Sequence, residues 1–190
     1  MSANPKHYYT IDEYFALEKV GDARYEYWDG DIVCMSGGTE IHGRIGDNIC
    51  FRLRLQLTGR TCEAFSSAFS IKTPTLPPYR YPDVSVACGS IFEKILGMDT
   101  LTNPVVIFEV LSSSTEVADR GQKLQAYRAI ETLQEYVLVS QIKPNITHYV
   151  KQDNGEWNSF EISGLATILT LNSIGCTLLL QDIYNGIVFS

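Results

Sequence analysis

The sequence predicts one mixed α/β domain, residues 1–190, with helices packed on a central mixed β-sheet and additional strands in the C-terminal part. The chain is 45% hydrophobic, so a domain of this length can bury roughly 70% of its unfolded surface. Segments 40–57 and 115–131 have helical patterns, and they alternate with strand-like apolar runs. Segment 105–111 is almost continuously apolar, as in a strand covered on both faces. No repeat or linker divides the chain.

Local signals define the first elements of the chain. Thr10 and Glu13 form a capping box that predicts a helix from 11 to about 19. Aromatic and β-branched runs at 24–28 and 31–35, joined by Asp29-Gly30, predict a β-hairpin. Thr39 is in position to cap a helix over 40–57, whose apolar residues recur every four positions. These residues are Ile41, Ile45, Ile49, Leu53 and Leu57.

The middle of the chain leads into two strands. Segment 61–72 predicts one or two strands, and 73–80 is an extended connector too rich in proline to pair centrally. Segment 83–88 predicts a strand entered through Tyr81-Pro82, and 89–103 predicts a loop that could include a helical turn at 91–96.

The C-terminal half contains one helix followed mainly by strands. Ser112 to Thr115 end the 105–111 strand and introduce the helix at 115–131, and 135–140 predicts a second buried strand. A hairpin turn is expected at 153–155. The remaining predicted elements are strands at 147–151, 157–162, 167–171 and 176–180, and a short helix near Asp182.

The net charge of −7 argues against tight non-specific binding to nucleic acid, because affinity for phosphate comes largely from Lys and Arg. Contact with DNA would need a local cluster of cations, or a dimer that concentrates them.

Cysteine usage and hydropathy indicate a cytoplasmic protein. The five cysteines are odd in number, are never spaced C-x-x-C and lie in apolar stretches, so they are expected to be reduced core thiols without zinc. No signal peptide or membrane span is expected, since the N-terminus lacks an apolar segment and no apolar run approaches ~18 residues.

Two carboxylates occupy strand positions that disfavour charge. Glu109 lies inside the apolar run 105–111, where an ionised group costs several kcal/mol unless it is paired or bound to metal. Asp83 stands at the start of the 83–88 strand. If these strands are neighbours, two carboxylates ~4 Å apart repel by about 4 kcal/mol at an effective dielectric of ~20. A site for Mg²⁺ or Mn²⁺ would keep both ionised, although each acid could instead cap a turn or loop.

Three further residues have both a structural and a functional interpretation. Glu26 is either a solvent-facing strand residue or a third acidic group near the site. His42, near a helix start, is either structural or faces the site. Lys123 lies four residues after Asp119, so the pair predicts a salt-bridged, exposed helix surface, unless the lysine reaches the carboxylates.

The pattern Pro82-Asp83, followed by an acidic residue in the apolar strand at Glu109, resembles the PD-(D/E)XK nuclease superfamily. That resemblance implies two acids that hold Mg²⁺ and a lysine that orients or activates the attacking water. The superfamily lysine stands two residues after the second acid, but Leu111 occupies that position here.

Longer segments resemble a family of restriction-endonuclease-like proteins that is abundant in cyanobacteria and was long catalogued as a domain of unknown function. The similarity covers most of residues 8–185 and departs at Ser113, where the family usually has Pro. It implies that the catalytic lysine has moved into the following helix, at Lys123. The segments that resemble the family are 24–26 with 29–30, 81–84, 109–112 with 114–115, 119–123 and 134–139.

The resemblance implies a Mg²⁺- or Mn²⁺-dependent endonuclease that hydrolyses DNA phosphodiester bonds. Asp83, Glu109 and Lys123 would be catalytic, Asp83 and Glu109 would bind the metal, and Glu26 or His42 would assist at the rim. A homodimer would suit duplex cleavage, since one active site cuts one strand. One alternative is an inactive nuclease fold used as a dimerising or regulatory module. A weaker one is a glycosidase with Asp83 and Glu109 as acid and base.

Overall fold

The computed structural model describes residues 7–21, 23–28, 30–35, 38–75, 77–113 and 115–189. Its helices within this part of the chain are α1 (Ile11–Val20), α2 (Glu40–Leu57), α3 (Glu116–Ala118), α4 (Leu124–Arg128) and α5 (Leu180–Ile183). The first eight strands are β1 (Tyr25–Trp28), β2 (Asp31–Cys34), β3 (Cys62–Ser66), β4 (Ser70–Lys72), β5 (Tyr79–Arg80), β6 (Val84–Cys88), β7 (Phe92–Ile95) and β8 (Met98–Leu101). The others are β9 (Pro104–Leu111), β10 (Glu135–Ser140), β11 (Asn145–Lys151), β12 (Trp157–Ser163), β13 (Ile168–Leu171) and β14 (Cys176–Leu179).

A six-stranded mixed sheet forms the centre of the fold, in the order β12–β11–β10–β9–β6–β3. β9 and β10 are parallel, and the other neighbouring pairs are antiparallel. β9 therefore lies inside the sheet, as its continuous apolar sequence predicts. The predicted adjacency of the Asp83 and Glu109 strands is also confirmed, because Val84 pairs with Phe108.

Helices cover the two faces of this sheet. α2 packs through Ile45, Ile49 and Leu53 against the face that carries Phe108 and Val110. Leu124 and Tyr127 of α4 pack against the face that carries Ile107 and Leu111. Side chains alternate along a strand, so Glu109 points to the face that α4 covers.

Local capping signals correctly predict α1 and α2. The Thr10 hydroxyl accepts a hydrogen bond from Glu13 N at 3.2 Å, and the Glu13 carboxylate accepts one from Thr10 N at 2.7 Å. Thr39 accepts from His42 N and opens α2. The β1–β2 hairpin also forms as predicted. Asp29 of its turn and Ser114 of the family pattern lie outside the described residues.

The prediction of a loop with a helical turn at 91–96 is wrong. β7 and β8 form a hairpin there, with a two-residue turn at Leu96 and Gly97. These residues have positive φ values, 52° and 90°, as a tight hairpin turn requires. β8 joins a second sheet in the order β5–β4–β8–β7. The proline-rich connector pairs only at its end, as the edge strand β5.

The helical region that follows β9 differs from the continuous helix predicted at 115–131. Five residues, Asp119–Lys123, form a π-helical turn between α3 and α4, and α4 ends at Arg128. Gly121 within this turn has a low helix propensity. Such π-turns often occur at functional sites. Here the turn contains both Asp119 and Lys123.

The prediction that all five cysteines are reduced core thiols is wrong for three of them. Cys62 and Cys88 face each other in the β3–β6 register and form a disulfide. Cys34 is exposed, whereas Cys50 and Cys176 are buried thiols as predicted. The disulfide joins residues 26 positions apart, so only the strand register brings them together.

Strands β13 and β14 and helix α5 form the C-terminal extension. Leu169, Leu178 and Ile183 of this extension belong to the same core cluster as α2. Among the helices that the structure describes, none is long and apolar enough to span a membrane.

Candidate active site

Asp83 and Glu109 lie side by side because β6 and β9 are neighbours. Asp83 immediately precedes β6, and its Oδ2 accepts a hydrogen bond from Val110 N at 2.6 Å. A backbone donor next to Glu109 therefore orients the Asp83 carboxylate. The sequence predicted this proximity, and the sheet register accounts for it.

Glu109 is almost fully buried, with 3% of its surface exposed. Its Oε1 accepts a hydrogen bond from the Tyr127 hydroxyl at 2.7 Å and lies 3.2 Å from Lys123 Nζ. Burial raises the pKa of Glu109 well above its usual value, although Lys123 opposes the shift. A buried carboxylate of this kind needs a compensating cation.

Lys123 is the centre of a buried ionic cluster. Its Nζ lies 3.0 Å from Asp119 Oδ1, 3.2 Å from Glu109 Oε1 and 3.4 Å from Glu26 Oε1. Only 1% of Lys123 is exposed, so the interpretation of Asp119–Lys123 as an exposed surface pair is wrong. We call Glu26, Glu109, Asp119 and Lys123 the buried cluster.

The charge of Lys123 follows from its neighbours. Burial lowers the pKa of the ammonium, but the carboxylates of Glu109, Glu26 and Asp119 raise it more, and the net pKa lies well above its usual value. Lys123 is therefore protonated at neutral pH. It can donate hydrogen bonds but cannot accept a proton.

Glu26 lies in this cluster. The structural interpretation, which placed it on the solvent-facing side of its strand, is therefore wrong. It is 2% exposed, and burial raises its pKa despite the nearby Lys123. It therefore lies beneath the site and not at its rim.

Asp119 and Tyr127 belong to the site, but the sequence did not identify them as functional residues. Neither carboxylate oxygen of Asp119 has a hydrogen bond to a described residue, although Oδ1 is within ion-pair distance of Lys123. The spacing from Asp119 to Lys123 and from Lys123 to Tyr127 is four residues in each case. That spacing is the sequence signal that places all three on one side of the helical region.

His42 contacts the other candidate carboxylate. Its Nε2 lies 2.9 Å from Asp83 Oδ1, and this hydrogen bond raises the pKa of the imidazole. The first turn of α2 positions His42, since Thr39 caps the helix at the His42 amide. The two accessory candidates therefore serve different parts of the site: His42 contacts Asp83, and Glu26 contacts Lys123.

An open cleft of about 440 Å³ lies over Asp83 and His42. We call it the site cleft. Ser112, Thr115 and Gln141 also line it, whereas Glu109 and Lys123 are not among its lining residues. The candidate site thus has an open part, which contains Asp83, and the buried cluster beside it.

The donor chemistry of this site fits a hard divalent cation. In the described part of the chain, no group of three or more His, Cys, Asp or Glu residues has the arrangement of a complete metal site. Mg²⁺, however, is commonly held by one or two carboxylates, with water and substrate phosphate as its other ligands. The buried cluster combines three acidic groups with the Lys123 ammonium, and the buried Arg80 also acts on Glu26. A divalent cation at Asp83 and Glu109 would favour the ionised form of Glu109.

Comparison with known proteins identifies the family. The family model described as "Putative restriction endonuclease", Uma2, matches residues 11–181. The uncharacterized protein slr1290 of Synechocystis sp. is 35% identical over 178 residues, which are 94% of this chain and 92% of that protein. The uncharacterized protein sll1609 of the same organism is 32% identical over 155 residues, 82% of this chain and 88% of that protein.

A solved structure confirms the fold. It is the crystal structure of a "putative nuclease belonging to DUF820" from Anabaena variabilis, with a TM-score of 0.71. The match covers 93% of this chain and 97% of that chain at 17% identity, a level that supports the fold alone. The predicted restriction-endonuclease-like α/β fold and the resemblance on which it depended are therefore confirmed. The chain belongs to the Uma2 family of restriction-endonuclease-like proteins.

Proposed function

We propose that the chain is a metal-dependent endonuclease that hydrolyses DNA phosphodiester bonds. The observation that carries this proposal is the placement of Asp83 and Glu109 on adjacent strands, with Lys123 Nζ 3.2 Å from Glu109 Oε1. Two carboxylates beside a lysine provide the groups that hydrolysis of a phosphodiester needs: a metal site and a hydrogen-bond donor for the nucleophile.

Each residue has a role that follows from its surroundings. Asp83 and Glu109 would hold Mg²⁺ or Mn²⁺, and the bound ion would polarise the phosphate and lower the pKa of water. Lys123, whose ammonium lies among three carboxylates, would orient water by donating a hydrogen bond. His42 orients the Asp83 carboxylate, and Glu26 holds Lys123 in place.

A second candidate function is an inactive nuclease-fold module that acts as a dimerising or regulatory partner. The observation that favours it is the burial of Lys123, whose ammonium already contacts three carboxylates. The net charge of −7 also weakens binding to DNA. The two proposals differ in whether the chain binds metal and cuts DNA.

The decisive experiment combines Mn²⁺ calorimetry with nicking of supercoiled plasmid. We expect wild type to bind Mn²⁺ and nick DNA, and Asp83→Ala to lose both. The matched control Asp47→Ala removes an exposed acid of α2 and should lose neither. Lys123→Met should retain metal binding and lose about 100-fold or more in rate, the typical effect of removing one charge-stabilising donor.

Each variant must be shown to be folded by circular dichroism at the assay temperature, because Lys123 is buried. Lys123→Arg is a second variant that keeps the charge but changes its position. If wild type binds no Mn²⁺ at millimolar concentration and nicks no plasmid, the chain is an interaction module. A folded Lys123→Met enzyme with the wild-type rate would show that Lys123 has no catalytic role.

A further inference from the structure

Arg24 lies between the site cleft and a second cavity. The second cavity has a volume of about 600 Å³ and is lined by residues that include Glu18, Phe69 and Met98. Arg24 and Tyr81 line both cavities. These two side chains also contact each other, with the Arg24 guanidinium 5.5 Å from the centroid of the Tyr81 ring.

Among the described residues, Arg24 is the only lysine or arginine that lines either cavity. His42 is the other basic side chain of the site cleft, and Asp83 engages it. The nearby Arg80 is buried and lies 4.1 Å from the Trp28 ring, outside both linings. The cationic surface available in this region is therefore the Arg24 guanidinium.

The position of Arg24 along the chain places it next to the catalytic candidates. Arg24 precedes Glu26 by two residues, and Tyr81 precedes Asp83 by two. Arg24 O accepts a hydrogen bond from Met35 N, so the β1–β2 hairpin holds its backbone in place. Each of the two segments thus has one residue of the Arg24–Tyr81 pair two positions before an acid of the site.

The Arg24 side chain is available to a ligand. It is exposed, and among the described residues Nη1 donates one hydrogen bond, to Ser67 O at 2.5 Å. A guanidinium has five N–H donors in a planar fork that matches the geometry of a phosphate group. The contact with Ser67 orients the fork and leaves most of its donors for an anion.

We infer that Arg24 binds a backbone phosphate of the nucleic acid substrate, next to the phosphodiester bond held at Asp83. This inference rests on the proposed nuclease function and adds its substrate-binding residue. In a protein with net charge −7, one well-placed guanidinium makes a large contribution to phosphate affinity.

The test measures binding and not cleavage, in the Asp83→Asn background, so that the DNA stays intact. A fluorescein-labelled DNA duplex is titrated by fluorescence anisotropy at several salt concentrations without divalent metal. We expect Arg24→Gln to raise Kd about tenfold and to reduce the slope of log K against log salt by about 0.9, the value for one lost phosphate contact. Arg24→Lys should keep the slope and lose part of the affinity, because it retains the charge without the fork.

Arg52→Gln is the matched control. Arg52 lies on α2, pairs with Asp182 at 2.8 Å and lines neither cavity, so its loss should leave Kd and the salt slope unchanged. A variant that is only partly folded would have a higher apparent Kd at every salt concentration, but its salt slope would be unchanged. Thermal unfolding of each variant shows directly whether it is folded.

The possible results separate the two proposals. If wild type binds and nicks DNA but Arg24→Gln has an unchanged Kd and salt slope, the role of Arg24 is wrong and the nuclease proposal stands. If wild type neither binds nor nicks DNA, the nuclease proposal fails, and the role of Arg24 fails with it.

Discussion

The opposing effects of burial and nearby charge determine the state of Lys123. Burial alone would favour a neutral amine, but three carboxylates within 3.4 Å keep it protonated. In the described part of the chain, Glu26 Oε1 and both Asp119 carboxylate oxygens have no hydrogen-bond partner, and the same ammonium is the cation within ion-pair distance of both residues. Lys123 therefore has a structural role in addition to the catalytic role proposed for it.

We expect Lys123→Met to lower the free energy of unfolding by about 3–5 kcal/mol, because removing one partner leaves buried carboxylates uncompensated. Urea denaturation measures this effect. The control Lys94→Met removes an exposed lysine that pairs with Asp99 and should cost less than about 1 kcal/mol.

The double variant Lys123→Met with Glu26→Gln should lose less stability than the sum of the two single changes, since the residues are in contact. If Lys123→Met is as stable as wild type, Lys123 does not hold the buried cluster together.

Turn geometry and pairing partners decide the structure of individual elements. The β7–β8 hairpin shows this, because Leu96 is an unusual residue for a turn position with positive φ. The left-handed conformation is about 1–2 kcal/mol less favourable for an L-residue with a large side chain. The hairpin forms nevertheless, since β8 pairs with β4 in the second sheet.

We expect Leu96→Asn to raise the free energy of unfolding by about 1 kcal/mol, since Asn tolerates the left-handed conformation. Leu96 is 40% exposed, so the substitution removes little buried apolar surface. Thermal or urea unfolding provides the measurement.

Two neighbouring substitutions control for this result. Gly97→Ala should destabilise the protein, because Gly97 has φ 90°. Alanine, like leucine, disfavours positive φ, so Leu96→Ala should not raise the free energy of unfolding as Leu96→Asn does. An Asn variant less stable than wild type would contradict the strain argument.

At the scale of the whole molecule, the open question is whether two chains form a homodimer. In the C-terminal extension, Leu169, Leu178 and Ile183 are buried in the core, so these side chains are not available to a second subunit. The proposed homodimer therefore depends on the chemistry of duplex cleavage, in which two active sites cut two strands.

We expect sedimentation equilibrium to give twice the 21.3 kDa chain mass at micromolar concentration. A concentration series from nanomolar to micromolar would give the dimer dissociation constant, and added duplex DNA should shift the equilibrium further toward the dimer. A strict monomer throughout this range would remove the dimer proposal and leave a nicking enzyme as the form to test.

The sequence by itself determined the features that depend on short stretches of chain. Caps and periodic apolar residues are local signals, so they predicted α1 and α2 at nearly their observed bounds. Continuous apolar runs predicted β9 and β10 as buried strands. Asp83 at the start of one strand segment and Glu109 inside another suggested a shared metal site, provided that the two strands are neighbours. The family resemblance added Lys123, which spacing alone assigned to an exposed surface.

The tertiary structure decided the features that depend on residues far apart in the chain. The register of β3 against β6 joins Cys62 to Cys88, and pairing with β4 turns segment 92–101 into a hairpin. Packing of the helical region behind β9 buries Glu26, Asp119 and Lys123 together, and this burial changes their charge balance. The physical reason is that burial and pKa depend on which groups surround a side chain. For these residues the neighbours come from segments as far apart in the sequence as Glu26 and Lys123.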